Sequence, residues 1–276
     1  MKRAMVVLSV CAVAMALASC WQQPTSATPA STPEQPSSAT TDPSSGPTYT
    51  IDKSGPIITN TSARYYLQAY TLTDDTHENS HVTIRFPHLI SSNSDGVNET
   101  VQNYATGFLA SLGGYPENYT NLTLTVDYNL TYNTNDWLSV SFNGYGDMVG
   151  AAHPSAILRT LNLNLKDGSA VQLGDIYDVN ADFVRVFRAA FAAQVADRIG
   201  VITGAPSEQT NSMAKYLDLW NDPALIGFLN DSPCYMTHDK IGISLDVPHI
   251  SGDHFETEIP YSDLAGNLKL AVPPFA

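Results

Sequence analysis

The chain has 276 residues, 13 Lys and Arg against 27 Asp and Glu, and a formal net charge of −14 with only 14% of residues charged. So sparse and acidic a chain argues against nucleic acid as a partner, because phosphate recognition needs clustered Lys and Arg. It also argues against docking on anionic lipid through a basic face, while a hydrophobic share of 43% is enough for an ordered core.

Met1-Lys2-Arg3 leads into an apolar run from Ala4 to Ala18. Two cations, an apolar stretch and small residues at its end make a secretory signal. The run is short for a membrane-spanning helix, which needs about 20 apolar residues. It ends Leu17-Ala18-Ser19-Cys20, which resembles the bacterial lipobox. Residues 1–19 are then the signal peptide, and Cys20 is the lipidation site, its thiol forming the thioether to diacylglycerol. Cleavage after Ala18 is the alternative and would release the protein. Cys11 lies in the signal, so only Cys234 remains and no internal disulfide is expected. Residues 20–55 follow as a tether rich in Ser, Thr and Pro, in which 21–50 carries only Glu34 and Asp42 as charges. Such a composition does not repay ordering entropy; extended, 21–50 would reach about 90 Å at roughly 3.1 Å per residue. The folded domain is assigned to 56–276, in two parts of about 64–130 and 131–276.

Arg64–Thr73 and His81–Phe86 read as strands joined by a polar turn. Val97, Val101, Tyr104, Ala105, Phe108, Leu109 and Leu112 recur at helical spacing, which predicts a helix over Asp95–Leu112 capped by Asp95 and stopped by Gly113-Gly114. Asn121–Thr131, Trp137–Tyr145 and Ala156–Leu165 alternate like half-buried antiparallel strands, and Lys166–Ser169 is a turn. A second helix, Ala181–Ile199, is capped by Asn180 and closed by Gly200. Its stripe of Phe183, Phe187, Phe191, Val195 and Ile199 is core. A weaker helix is expected over Glu208–Leu219, then closing strands Met236–Val247 and His254–Ile259. The order predicts an α+β fold, mostly antiparallel, with two main amphipathic helices on one side.

Three groups could carry chemistry. Asp74, Asp75, His77 and His81 offer metal-ligand types, yet they sit in one polar turn without helical spacing, so the imidazoles need not converge. His249, Asp253, His254, Glu256 and Glu258 place alternate carboxylates on one strand face, either a cation or acid–base site or a solvated face. Asp178–Asp182 opens like a calcium loop, but Phe183 and Ala189 stand where Gly and Glu are required. The Gly-x-Ser-x-Gly, Walker, dinucleotide and His-Glu-x-x-His patterns are missing from the sequence. No metal site and no cofactor is therefore expected. Sequons at Asn60, Asn98, Asn118, Asn121, Asn129 and Asn230 read as by-products of an Asn- and Thr-rich chain.

Three segments together resemble the PdaC/RsiV-like extracellular domain of bacteria. His81–Leu112 matches its strand-Pro-turn-helix opening. Leu138–Tyr177 contains Gly150-Ala151-Ala152-His153-Pro154, where the family pattern has Gly-Gly-Ala-His-Pro, and Ile176-Tyr177 where it has Leu-Phe. Cys234–Leu264 is similar to the family's closing hairpin and Ile-Pro-Tyr-x-x-Leu. The resemblance spans about residues 64–270. It implies a non-catalytic binding domain, with Gly150, His153 and Pro154 as candidate binding residues. Of these, Pro154 would fix the start of a strand and Gly150 would permit a tight approach. With the lipobox-like Cys20, the expected place is the extracellular face of the cell membrane, lipid-anchored, or secreted if cleavage follows Ala18. Its ligand would be a cell-envelope component such as peptidoglycan, or a cationic lysozyme-like protein drawn by the acidic charge. The alternatives are a wall-glycan enzyme using Asp253, Glu256 or Glu258, and a structural or antigenic lipoprotein.

Overall fold

The computed structural model of the protein describes residues 49–59, 64–75, 78–91, 94–111, 120–203, 213 and 215–270. The signal, Cys20, the tether up to residue 48, His77, Gly113-Gly114 and half of the helix expected over Glu208–Leu219 lie outside the described residues.

The larger sheet holds β1 (Thr50–Asp52), β2 (Ile57–Thr59), β3 (Tyr66–Asp74), β4 (His81–Ile90), β5 (Leu122–Asn133), β6 (Trp137–Met148), β7 (Ser155–Asn164) and β8 (Ala170–Val171). Their order is β1-β3-β4-β5-β6-β7-β8, with β2 also on β3. Every pair is antiparallel except β4–β5. That one parallel step needs a crossover, and α1 (Asp95–Ser111) lies in it. The smaller sheet is β11-β10-β9, from β9 (Cys234–Met236), β10 (Lys240–Asp246) and β11 (His254–Pro260). Helices α2 (Leu173–Ile176), α3 (Ala181–Thr203) and α4 (Asp222–Asn230) complete the α+β fold that the element order predicts.

The two long helices serve two cores. Val97, Val101, Ala105 and Phe108 of α1 join Leu124, Leu138, Val140 and Phe142 of the large sheet. Phe183, Phe187, Phe191 and Val195 of α3 join Ile241, Ile243, Leu245 and Ile259 of the small sheet. β6 belongs to both. Leu138, Val140 and Phe142 enter the first core, and Trp137 enters the second from the opposite face. Trp137–Phe142 is consequently buried without a break, where the sequence suggested a half-buried strand.

Further expectations are corrected. Thr50–Asp52, assigned to the tether, pairs with β3, and Tyr49 and Ile51 pack on the first core. The strand over Met236–Val247 is a hairpin: Thr237 caps its turn by accepting from Lys240 N–H at 3.0 Å and donating to Lys240 O at 3.0 Å. Gly200 lies inside α3, which runs on to Thr203. At α1 the Ser94 carbonyl accepts from Asn98 N–H at 2.8 Å, so Asp95 stands in the first turn and not at the cap. A carboxylate there still suits the positive end of the helix dipole. The described end of the weak helix is a single 3-10 turn, Tyr216–Leu219. Beyond it α4 was not foreseen, although Asn221-Asp222-Pro223 marks its start: Asn221 Oδ1 accepts from Ala224 N–H at 3.0 Å.

Candidate functional site

The Gly150–Pro154 segment is the turn between β6 and β7. Gly150 has φ +96°, the left-handed region that favours glycine. A Cβ there would meet nothing within 4 Å, so backbone conformation explains the glycine, and the expected tight approach does not. Pro154 immediately precedes β7, as expected.

A second turn arrives beside it. Pro248 opens the 3-10 turn His249–Ser251, and Gly252 and Asp253 both have positive φ, 104° and 69°. Asp tolerates this region better than most residues. Its carboxylate joins the turns, since Oδ1 lies 2.8 Å from His249 Nδ1 and Oδ2 accepts from Ala156 N–H at 2.7 Å. His153 then stacks on His249, with ring centroids 3.3 Å apart and planes 7° from parallel. Burial of Asp253 would raise its pKa. The Ala156 N–H, the His249 hydrogen bond and the charges of His249 and His153 outweigh that and hold it below the usual carboxylate range. The structure therefore brings together His153 from one expected group and His249 and Asp253 from another.

On β11, His254, Glu256 and Glu258 share a face, as alternation predicts. Tyr235 OH donates to Glu256 at 2.9 Å and to Glu258 at 3.3 Å, and Lys240 Nζ lies 3.2 Å from Glu258. Gly242 makes this possible, because a side chain there would collide with the Tyr235 ring. Burial, reinforced by the two carboxylates, pushes the Tyr235 phenol well above its usual range. Both carboxylates are engaged with these neighbours.

The first group disperses. Asp74 is buried within β3, whereas Asp75 and His81 form an exposed pair at 3.2 Å. Among the described residues, no three His, Cys, Asp or Glu side chains stand together as a metal site would require. Asn180 is the cap of α3, its Oδ1 accepting from Asp182 N–H at 2.9 Å and Phe183 N–H at 3.2 Å. Asn98 ties α1 to β4, accepting from Leu89 N–H at 2.7 Å and donating to Leu89 O at 2.9 Å.

Sequence reasoning missed two features. The first is a buried polar seam. Ser139 accepts from Met236 N–H at 2.9 Å and donates to Asn162 Oδ1 at 2.7 Å, while Asn162 Nδ2 donates to Cys234 O at 2.8 Å. Burial pushes the Cys234 thiol up to about 12, against the smaller opposing effect of Asn162, so it stays protonated as a core residue. The second is a cleft of about 680 Å³ bounded by β7, α1 and the loop before β9. Neither leaves a local pattern, since each needs residues tens of positions apart.

No protein-family model matches the chain, and no curated protein matches it. Solved structures of DUF3298-family proteins are similar to it. A member from Bacteroides fragilis NCTC 9343 shares 14% identity over 75% of this chain and 94% of its own, with a TM-score of 0.44. One from Pseudomonas aeruginosa PAO1 shares 13% over 76% and 96%, with a TM-score of 0.46.

Proposed function

We propose that this is a bacterial envelope lipoprotein, held at the outer face of the cell membrane through Cys20, whose domain binds a cationic secreted protein of the lysozyme kind. The observation that carries the reading is the net charge of −14 on a chain with few charges of either sign. An acidic domain accelerates encounter with a basic partner and repels nucleic acid and anionic lipid alike. The lipobox-like Leu17–Cys20 and the PdaC/RsiV-like segments support the same placement. The Gly150–Pro154 turn fits a binding role because His153 is exposed and held in place by His249. Among the described residues no helix is long and apolar enough to cross a membrane.

Calorimetric titration of the purified full chain with lysozyme tests the reading. Binding is expected at low ionic strength, with affinity falling as salt is added. No heat at low salt removes lysozyme as the partner.

A further inference from the structure

We propose that the cleft over β7 takes an extended basic peptide, which adds to the large sheet as a further strand. β6 occupies one side of β7 along its whole length, from Ser155 to Asn164. On the other side β8 pairs only with Asn162 and Leu163. β8 then ends, because Gln172 caps α2 and its N–H is taken by Asp175 at 2.9 Å. The line that β8 would have followed along Ala156–Thr160 is left without a strand.

Two bonds fix which groups face that line. Ala156 N–H reaches Asp253, and Thr160 O accepts from Tyr104 OH at 2.7 Å. Both partners lie away from β6, so residues 156, 158 and 160 turn their backbone groups to that side, and of these Leu158 and Thr160 line the cleft. Alternation turns the N–H and C=O of Leu158 and the N–H of Thr160 the same way, and among the described residues no turn, loop or side-chain hydrogen bond reaches them. The edge from Ala156 to Thr160 spans about 14 Å at roughly 3.4 Å per residue; with Asp253 on Ala156 N–H and Tyr104 on Thr160 O, the middle of a short strand would pair with Leu158 and with Thr160 N–H. An open edge is a template for another extended chain, with main-chain bonds giving affinity and flanking side chains giving preference.

The flanks indicate the preference. Asp231 and Asp246 line the cleft and are exposed, whereas the one cation among its described lining residues, Arg159, lies 5.5 Å from the Phe108 ring centroid. Two open carboxylates on an already acidic chain favour Lys or Arg in the incoming strand. The inference rests on neither the lipid anchor nor lysozyme.

The probe is an acetylated and amidated Lys-Val-Thr-Val-Lys peptide, titrated into the 15N-labelled full chain. Saturable amide shifts at Leu158 and Thr160 are expected, together with slowed hydrogen exchange of the Leu158 amide. N-methylating the central Thr of the peptide removes one main-chain donor and should weaken binding about tenfold. Leu158→Pro removes the outward N–H, which an edge strand tolerates, and should abolish the response. Equal binding of the methylated peptide, or shifts confined to Asp231 and Asp246, would mean charge attraction alone and overturn the proposal. So would no shift at all. Because the methylated peptide is tested on the unaltered protein, the outcome stands even if Leu158→Pro does not fold.

Discussion

The two sheets end at edges that are treated in opposite ways. At β11 a helix covers the edge: Gln194 of α3 donates to Glu258 O at 2.6 Å and accepts from Glu258 N–H at 3.0 Å. One side-chain amide thus satisfies both backbone groups of an edge residue, much as another strand would. At β7 the neighbouring strand lasts two residues before the chain turns into α2, and the cleft remains. Covered edges resist association, and open ones invite it. The difference separates a part of the molecule built for stability from a part available for binding.

The contrast can be broken most severely from inside the second core. Phe187 is fully buried on the face of α3 that meets the small sheet. Phe187→Ala should cost about 3–5 kcal/mol in urea unfolding, from lost transfer energy and the cavity left behind. A loss under about 1 kcal/mol would mean that the stripe does not hold α3 in place. A smaller effect is expected from Gln194→Ala, which uncovers the β11 edge without touching the core. The two partly buried bonds to Glu258 suggest about 1–3 kcal/mol. Amide exchange at Glu258 should quicken, while exchange at Leu158 stays unchanged. Equal acceleration at both positions would remove the distinction between the edges.

The smallest effect belongs to Asp253, which occupies the Ala156 end of the β7 edge. Its folded pKa is lowered, so its contribution to stability is complete above the unfolded value of about 3.9. It is lost as pH falls below that value and through the lower folded one. In acid titration of stability, Asp253→Asn should remove this part of the decline while leaving the neutral-pH fold intact. An unchanged acid limb would show that the carboxylate does not join the two turns.

Much of the fold is legible in local spacing. Val97, Val101, Ala105 and Phe108 of α1 and Phe183, Phe187 and Phe191 of α3 are buried as their helical period requires. β5 buries Leu122, Leu124 and Val126 in alternation, and the caps at Asn180 and Asn221 have sequence signatures. The site is less legible. His153 and His249 are 96 positions apart, and nothing in either turn indicates a parallel stack. Ser139 and Asn162 read as the polar side of half-exposed strands. They are buried because the second core covers that face, and each then requires a partner.

Sequence alone settled composition, the period of each main element and the acidic charge, because these depend on residues within a few positions of one another. The PdaC/RsiV-like resemblance was likewise carried by short segments. Tertiary structure decided the rest: which strands are buried on both faces, which polar side chains form the seam, and which sheet edge stays open. Those outcomes depend on what packs against a surface, and the packing partner is far away in the chain. The Gly150–Pro154 segment shows both parts at once, since the strand start at Pro154 was readable from the residues while the left-handed φ of Gly150, and the two histidines that meet beside it, required the folded chain.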